Sequence, residues 1–194
     1  MKNIILASSS PRRKEILDNL GINFEVVPSN YCEEMLKGTA EEIVCELAKN
    51  KAIEVAKRIK KDAIIIAADT LVYKDFILGK PKTENEAFQM LKLLSGDMHK
   101  VVTGLFVIDT KDSSFYQEVE TTNVFFKELT DEEIWDYVYT GEPMDKAGGY
   151  GIQGKGSFFV KKIDGCYFNV VGLPIHKLYN IMKRMGVNLI VKEV

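Results

Sequence analysis

Apolar residues along this chain follow two different spacings, and the alternation predicts the fold class. Unbroken apolar runs at residues 4–7 and 64–68 have the length and branching typical of strands buried on both faces. Val44, Ala48, Ala52 and Val55 recur at helical spacing instead. Strands and helices in alternation predict an α/β protein with a mixed sheet.

Helix-start signals and turn residues complete the predicted order of elements. Thr39 with Glu42 has the pattern of a capping box, and the same spacing recurs at residues 83–86 and 130–133. Residues 101–109 and 115–127 predict long antiparallel strands, and residues 157–163 and 167–171 predict a hairpin. No linker or repeat divides the chain, so residues 1–194 are predicted to form one domain, with room for two lobes that share a core.

Composition removes several classes of function. The chain has 26 basic and 28 acidic residues, so no overall field attracts nucleic acid or a membrane surface. Its three cysteines show no CxxC spacing, which argues against a disulfide framework or a zinc site and predicts a cytoplasmic protein. The first ten residues, MKNIILASSS, are too short an apolar run for a signal peptide or a membrane span.

Asp69 is the first candidate for chemistry, because it follows directly on the buried run 64–68. A carboxylate at that depth needs a partner, a proton or a metal. Ligands of open α/β sheets bind at the carboxyl ends of central strands. Downstream, residues 71–72 and 76–78 predict a hairpin that returns Lys80 past the carboxylate. The alternative interpretation is that Asp69, helped by Thr70, only caps a turn at the strand end.

Arg12 and Arg13 fall in the first turn of a helix that Ser10 and Pro11 predict. Free backbone N–H groups point outward there, and two guanidinium groups at that place favour a bound phosphate. Ser8 could add a hydroxyl donor. The alternative is that both arginines are merely solvated.

Further charges point to the same kind of ligand. Lys51 lies between apolar positions 47 and 55 on one helical row, so it points toward the core side and either snorkels or meets an anion. Of the adjacent pair Glu33 and Glu34, at most one can join Asp69. Carboxylates beside phosphate are typical ligands of a divalent cation such as Mg²⁺ or Mn²⁺, although this pair could also be solvated surface.

A glycine-rich stretch covers residues 147–156, AGGYGIQGKG. It contains GxGxxG and nearly a Walker pattern, but both motifs require a helix afterwards, and a strand is predicted from residue 157, so both are rejected. The stretch lets backbone approach a ligand and presents the carboxamide of Gln153, or else it is a turn without a ligand. His99 and His176 have no nucleophile nearby and are interpreted as structural or exposed.

Six separate stretches together resemble one known family. They are residues 7–13 (ASSSPRR), 67–70 (AADT), 79–81 (GKP), 94–96 (LSG), 141–154 (GEPMDKAGGYGIQG) and 171–174 (VGLP). In this order they are similar to the Maf family of nucleoside triphosphate pyrophosphatases. The resemblance implies a fold like that of inosine-triphosphate pyrophosphatases, with an elongated mixed sheet and two α/β lobes flanking a cleft. It also implies a divalent metal and a homodimer.

The resemblance implies hydrolysis of a nucleoside triphosphate to the monophosphate and diphosphate, with a role for each matching residue. Asp69 corresponds to the catalytic proton acceptor and Glu33 to a second acidic residue near the metal. The positions that correspond to triphosphate binders are Ser8, Arg12, Arg13, Lys51 and Lys80. Tyr31 and Cys32 depart from the family pattern, in which an acidic residue usually precedes the acidic pair.

Arg12, Thr70 and Gln153 match positions that separate the substrate branches of the family, and they resemble the branch acting on dTTP and UTP. Thymine and uracil place an N3–H donor beside a carbonyl acceptor, and one carboxamide can satisfy both. A branch acting on 7-methylguanosine triphosphate would favour an acidic group for its cationic base. The other alternative is a nucleotide-binding regulator of cell division in which hydrolysis is incidental.

Overall fold

The strands of the described residues form one seven-stranded mixed sheet. A computed structural model describes residues 2–32 and 37–190. The strands are β1 (Asn3–Leu6), β2 (Glu25–Val26), β3 (Ala63–Lys74), β4 (Phe76–Leu78), β5 (Met98–Asp109), β6 (Phe115–Phe126) and β7 (Val160–Asp164). Their order is β2-β1-β3-β5-β6-β7, with β4 paired to β3. Pairing of β1 with β2 and β3 is parallel, whereas β3–β4 and β6–β7 are antiparallel, which confirms the mixed α/β class.

Six α-helices are interspersed with these strands in the part of the chain that the structure describes. They are α1 (Pro11–Asn19), α2 (Ala40–Arg58), α3 (Glu84–Leu94), α4 (Asp131–Val138), α5 (Tyr167–Val171) and α6 (Ile175–Arg184). The capping boxes that begin α2 and α4 are complete, as predicted. At α3 the Thr83 hydroxyl accepts from the Glu86 N–H, but the Glu86 carboxylate accepts from the Lys82 N–H instead. No described helix has the length and apolarity needed to cross a membrane.

The chain divides into two compact units. The first comprises Met1–Asp69, Thr103–Val119 and Gly172–Val194. Its core contains the face of α2 predicted from helical spacing, packed on side chains of β1, β3 and β5. Gly104 on β5 permits this packing, because a Cβ there would lie 2.3 Å from the carbonyl oxygen of Val44 on α2.

The second unit comprises Thr70–Val102 and Glu120–Val171. Its core combines apolar side chains of α3 and α4 with aromatic rings that include Phe126, Tyr150 and Phe159. His99 is buried among these rings, and its Nε2 lies 2.7 Å from the Tyr150 hydroxyl oxygen. This agrees with the structural interpretation of His99, while His176 is exposed.

Two expectations about local structure are wrong. Strand β3 does not end before Asp69 but continues to Lys74, so the carboxylate lies within the strand. The hairpin predicted from 157–163 and 167–171 is absent: Gly154–Phe159 is a 3₁₀ helix, and the second arm is helix α5. In α5 the buried Asn169 donates to the Val101 carbonyl at 2.9 Å and to the Thr122 hydroxyl at 2.9 Å. These long-range bonds override the strand propensity of the aromatic and β-branched residues around it.

Candidate active site

The loop from β1 to α1 presents hydroxyl and guanidinium groups. Ser10 occupies the N-cap position of α1 without a side-chain capping bond, and its backbone N–H donates to the Ser8 hydroxyl at 3.2 Å. Pro11 occupies the first turn, where its missing N–H costs nothing. The serines therefore shape the loop, and the side chains of Arg12 and Arg13 emerge from the first turn of the helix.

Arg13 is held by two partners from different parts of the first unit. Its Nε donates to the Gly172 carbonyl at 2.7 Å, and its Nη1 donates to the Ser8 hydroxyl at 3.1 Å. Gly172 has a φ of 122°, a conformation that favours glycine. The planar guanidinium is thereby oriented before any ligand arrives, and its neighbour Arg12 is half-buried. A site oriented in this way suits a phosphate group.

Asp69 forms a largely buried ion pair with Lys51. Side chains alternate along β3, so Asp69 lies on the same face as Ile65 and Ala67, the face that packs against α2. The ammonium group of Lys51 on α2 contacts the Asp69 carboxylate. Asp69 is 8% exposed. The carboxylate thus has the partner that its depth requires, and of the two alternatives for Lys51 the structure shows contact with an anion.

The register of β1 on β3 relates the loop that begins at Ser8 to the part of β3 that carries Asp69. Leu6 pairs with Ile66, and the Ala7 N–H donates to the Ile66 carbonyl at 2.8 Å. Ser8 follows directly on this last bond, and Asp69 follows it by three residues on the neighbouring strand. Hydroxyl and guanidinium groups therefore follow the carboxyl end of β1, and the Asp69 carboxylate with its Lys51 partner lies on the neighbouring part of β3.

The remaining predicted residues that the structure describes lie in the second unit. Thr70 points to the face of β3 opposite Asp69, and Lys80 is exposed in the loop after β4. The glycine-rich segment is tied to this loop, because the Gly148 N–H donates to the Gly79 carbonyl at 3.0 Å. Gln153 is half-buried in that segment.

A divalent metal needs oxygen ligands, and the described residues offer few of them in one place. Residues 2–32 and 37–190 contain no group of three or more His, Cys, Asp or Glu side chains suited to hold a metal. Asp69 supplies one carboxylate, and Glu33 lies outside the described residues. One or two carboxylates are what Mg²⁺ takes from a protein when substrate phosphates supply further ligands. The chemistry of Asp69 fits such an ion.

Three contributors were not predicted. The Gly172 carbonyl orients Arg13, and the side chains of Tyr137 and Glu142 hold the backbone around Gln153. Gly172 and Glu142 lie inside the stretches 171–174 and 141–154, so the motif match was a signal for both. Tyr137 lies outside the matched stretches and carries no local signal.

Comparison with known proteins agrees with these motifs. The family described as Maf-like protein matches residues 3–185. The chain belongs to the Maf family. Among curated Maf relatives, a protein of Clostridium tetani named dTTP/UTP pyrophosphatase is 51% identical over 191 residues, which are 96% of this chain and 100% of the relative. A relative of the same name from Alkaliphilus oremlandii is 53% identical over 192 residues, covering 98% of this chain and 100% of the other.

A solved structure of a HAM1 protein from Coxiella burnetii resembles this Maf chain more distantly. It has a TM-score of 0.44 and 14% identity, and covers 65% of this chain and 73% of that one. The assignment to the Maf family rests on the sequence matches alone.

Proposed function

We propose that this chain is a nucleoside triphosphate pyrophosphatase that hydrolyses dTTP and UTP to the monophosphate and diphosphate. Membership of the Maf family and the names of relatives about half identical over nearly the whole chain support it. The observation that carries the proposal is the buried Lys51–Asp69 pair in the same unit in which Arg13 is already oriented by Gly172 and Ser8.

In this proposal the cationic residues bind the triphosphate. Arg13 is pre-oriented by Gly172 and Ser8, so little side-chain entropy is lost when it engages phosphate oxygens. Arg12, Lys51 and Lys80 supply further positive charge, and Ser8 supplies a hydroxyl. Together they hold the α-phosphorus in line for attack and offset charge that develops on the leaving diphosphate.

Asp69 acts as the proton acceptor. Its carboxylate takes a proton from a water molecule as the water oxygen bonds to the α-phosphorus. The bond from that phosphorus to the bridging oxygen breaks, and diphosphate leaves with the electron pair. Lys51 orients the carboxylate from the α2 side and offsets its charge.

A divalent cation would be held by Asp69, with Glu33, which lies outside the described residues, as the second acidic residue. When bound, such an ion neutralises charge on the phosphates of the substrate.

In this proposal Gln153, together with Arg12 and Thr70, selects the base of the nucleoside triphosphate. The Gln153 carboxamide can accept from the N3–H of uracil or thymine and donate to the neighbouring carbonyl. A neutral side chain at this position does not favour the cationic base of 7-methylguanosine triphosphate. A homodimer and two lobes flanking a cleft remain predictions of the family resemblance, and a cytoplasmic location remains a prediction from the cysteine spacing.

The test is a diphosphate-release assay on the purified chain with dTTP, UTP, CTP, the purine triphosphates and 7-methylguanosine triphosphate, each with Mg²⁺ and with Mn²⁺. We expect the highest kcat/KM with dTTP and UTP, with diphosphate as the product. Nucleotide binding without turnover would instead support the regulator of cell division. Preference for 7-methylguanosine triphosphate would refute the assignment of Gln153.

A further inference from the structure

Glu142 directs its carboxylate at the backbone of the glycine-rich segment. Its Oε2 accepts from the Lys155 N–H at 3.1 Å, and its Oε1 accepts from the Gly156 N–H at 3.2 Å. Oε1 also accepts from the Tyr137 hydroxyl at 2.9 Å. Both oxygens of this one side chain are therefore engaged by donors of the second unit.

Tyr137 extends the contact to the other end of the segment. Its hydroxyl oxygen accepts from the Gly151 N–H at 3.3 Å while its proton goes to Glu142. Burial, and then the charge of Glu142, raise the pKa of Tyr137 above its usual value. The hydroxyl therefore stays protonated well above neutral pH and remains a donor to the carboxylate. Two side chains thus hold the N–H groups of residues 151, 155 and 156.

Residues 151–156 form a tight turn whose two ends lie close together. A Cβ on Gly156 would lie 2.4 Å from the Gly151 carbonyl oxygen, so the two ends of residues 151–156 approach too closely for a side chain. Gly154 has a φ of 70°, and a Cβ there would lie 3.0 Å from either carboxylate oxygen of Glu142. Glycines therefore let the backbone approach the Glu142 carboxylate. The hydrogen bonds to this carboxylate fix the turn that contains Gln153.

Within the described residues, no hydrogen bond orients the Gln153 carboxamide directly, so the backbone beneath it sets its position. Two hydrogen bonds to a pyrimidine require the carboxamide to be placed within a fraction of an ångström. We propose that Glu142, supported by Tyr137, is a positioning residue for base recognition and acts through Gln153. This inference rests on the proposed function and extends it to residues that do not contact substrate.

The test is Glu142→Gln in the full chain. The amide keeps the shape but has one acceptor oxygen, and its NH₂ group faces donors, so at least one of the three bonds is lost. We expect KM for UTP and dTTP to rise about tenfold, the equivalent of one lost hydrogen bond to a charged group, with kcat within about twofold. Glu132→Gln, on an exposed residue of α4, is the matched control and should leave both constants unchanged.

A double variant separates positioning from general destabilisation. If Glu142 acts through Gln153, its replacement should have no further effect once the Gln153 carboxamide is removed. The double variant Glu142→Gln/Gln153→Ala should therefore have the same KM as Gln153→Ala alone. Tyr137→Phe, which removes only the hydroxyl, should shift KM in the same direction and serves if Glu142→Gln fails to fold. Additive effects, or a loss confined to kcat, would overturn the inference while leaving the proposed function intact. A wild-type chain that does not hydrolyse dTTP or UTP would overturn the proposed function itself.

Discussion

The ammonium group of Lys51 on α2 contacts the carboxylate of Asp69 on β3, and both side chains are largely buried. The contact exists because alternate residues of β3 face α2, and Asp69 continues the row of Ile65 and Ala67 into the polar end of that interface. A buried pair of this kind adds little net stability, but either partner left alone is costly. The pair therefore links the stability of the first unit to the residue proposed for catalysis.

Replacing Lys51 by methionine should destabilise the protein. The aliphatic stem is retained, but the Asp69 carboxylate is left buried without its cation, and we expect the free energy of unfolding in urea to fall by about 3–5 kcal/mol. Lys49→Met is the matched control on the same helix, since Lys49 pairs with Glu46 at a more exposed position, and it should change stability by less than about 1 kcal/mol. Equal effects of the two variants would contradict a special role for the Lys51 pair.

Asp69→Asn should abolish most turnover. The amide cannot accept the proton of the attacking water, so we expect kcat for UTP to fall by about 10²–10⁴-fold in steady-state assays of diphosphate release. Asp136→Asn makes the same chemical change on the exposed side of α4 and should retain full activity. Retention of more than about a tenth of kcat by Asp69→Asn would rule out the proton-acceptor role.

Arg13 and Ser8 should behave as one unit in kinetics. Arg13→Lys removes the planar fork that donates to Gly172 and Ser8 from two separate nitrogens, and Ser8→Ala removes one of the two anchors. In a double-mutant cycle on kcat/KM for UTP we expect a coupling energy of about 0.5–3 kcal/mol. The same cycle with Ser9→Ala, at the exposed neighbouring serine, should be additive. Additivity in both cycles would mean that the Ser8 contact does not orient Arg13.

His99 should make the protein less stable in acid. Burial, reinforced by the positive charge of Lys74, lowers the pKa of His99 from 6.5 to about 3, and Asp97 opposes this shift. Because the unfolded chain binds a proton below pH 6.5 and the folded chain does not, stability is lost as pH falls from about 6.5 toward 3, by up to roughly 5 kcal/mol.

The acid sensitivity can be assigned with a matched pair of variants. His99→Gln should flatten the plot of unfolding free energy against pH between about pH 4 and 6.5, compared with wild type. His176→Gln, at an exposed histidine, should leave the slope unchanged. An unchanged slope in His99→Gln would show that other groups cause the loss of stability.

Local signals predicted most elements of the fold. The capping boxes at Thr39 and Thr130 form as expected, because they depend on residues three apart in the chain. Local signals failed where partners distant in sequence determine the backbone conformation. In α5, for example, the Asn169 side chain forms hydrogen bonds with residues of β5 and β6. They failed also at Asp69, because a charged residue after an apolar run signals the end of a buried strand, whereas β3 continues to Lys74.

From the sequence alone come the chemical groups of the candidate site: an acid after a buried apolar run, cations at a helix start and an amide among glycines. The contacts among these groups come from the folded chain: Lys51 meets Asp69, the Gly172 carbonyl orients Arg13, and Tyr137 and Glu142 hold the segment of Gln153. The difference follows from the separation along the chain over which each effect acts. Propensities and caps act over three or four residues, whereas these contacts depend on strand register and helix packing between segments far apart in the chain.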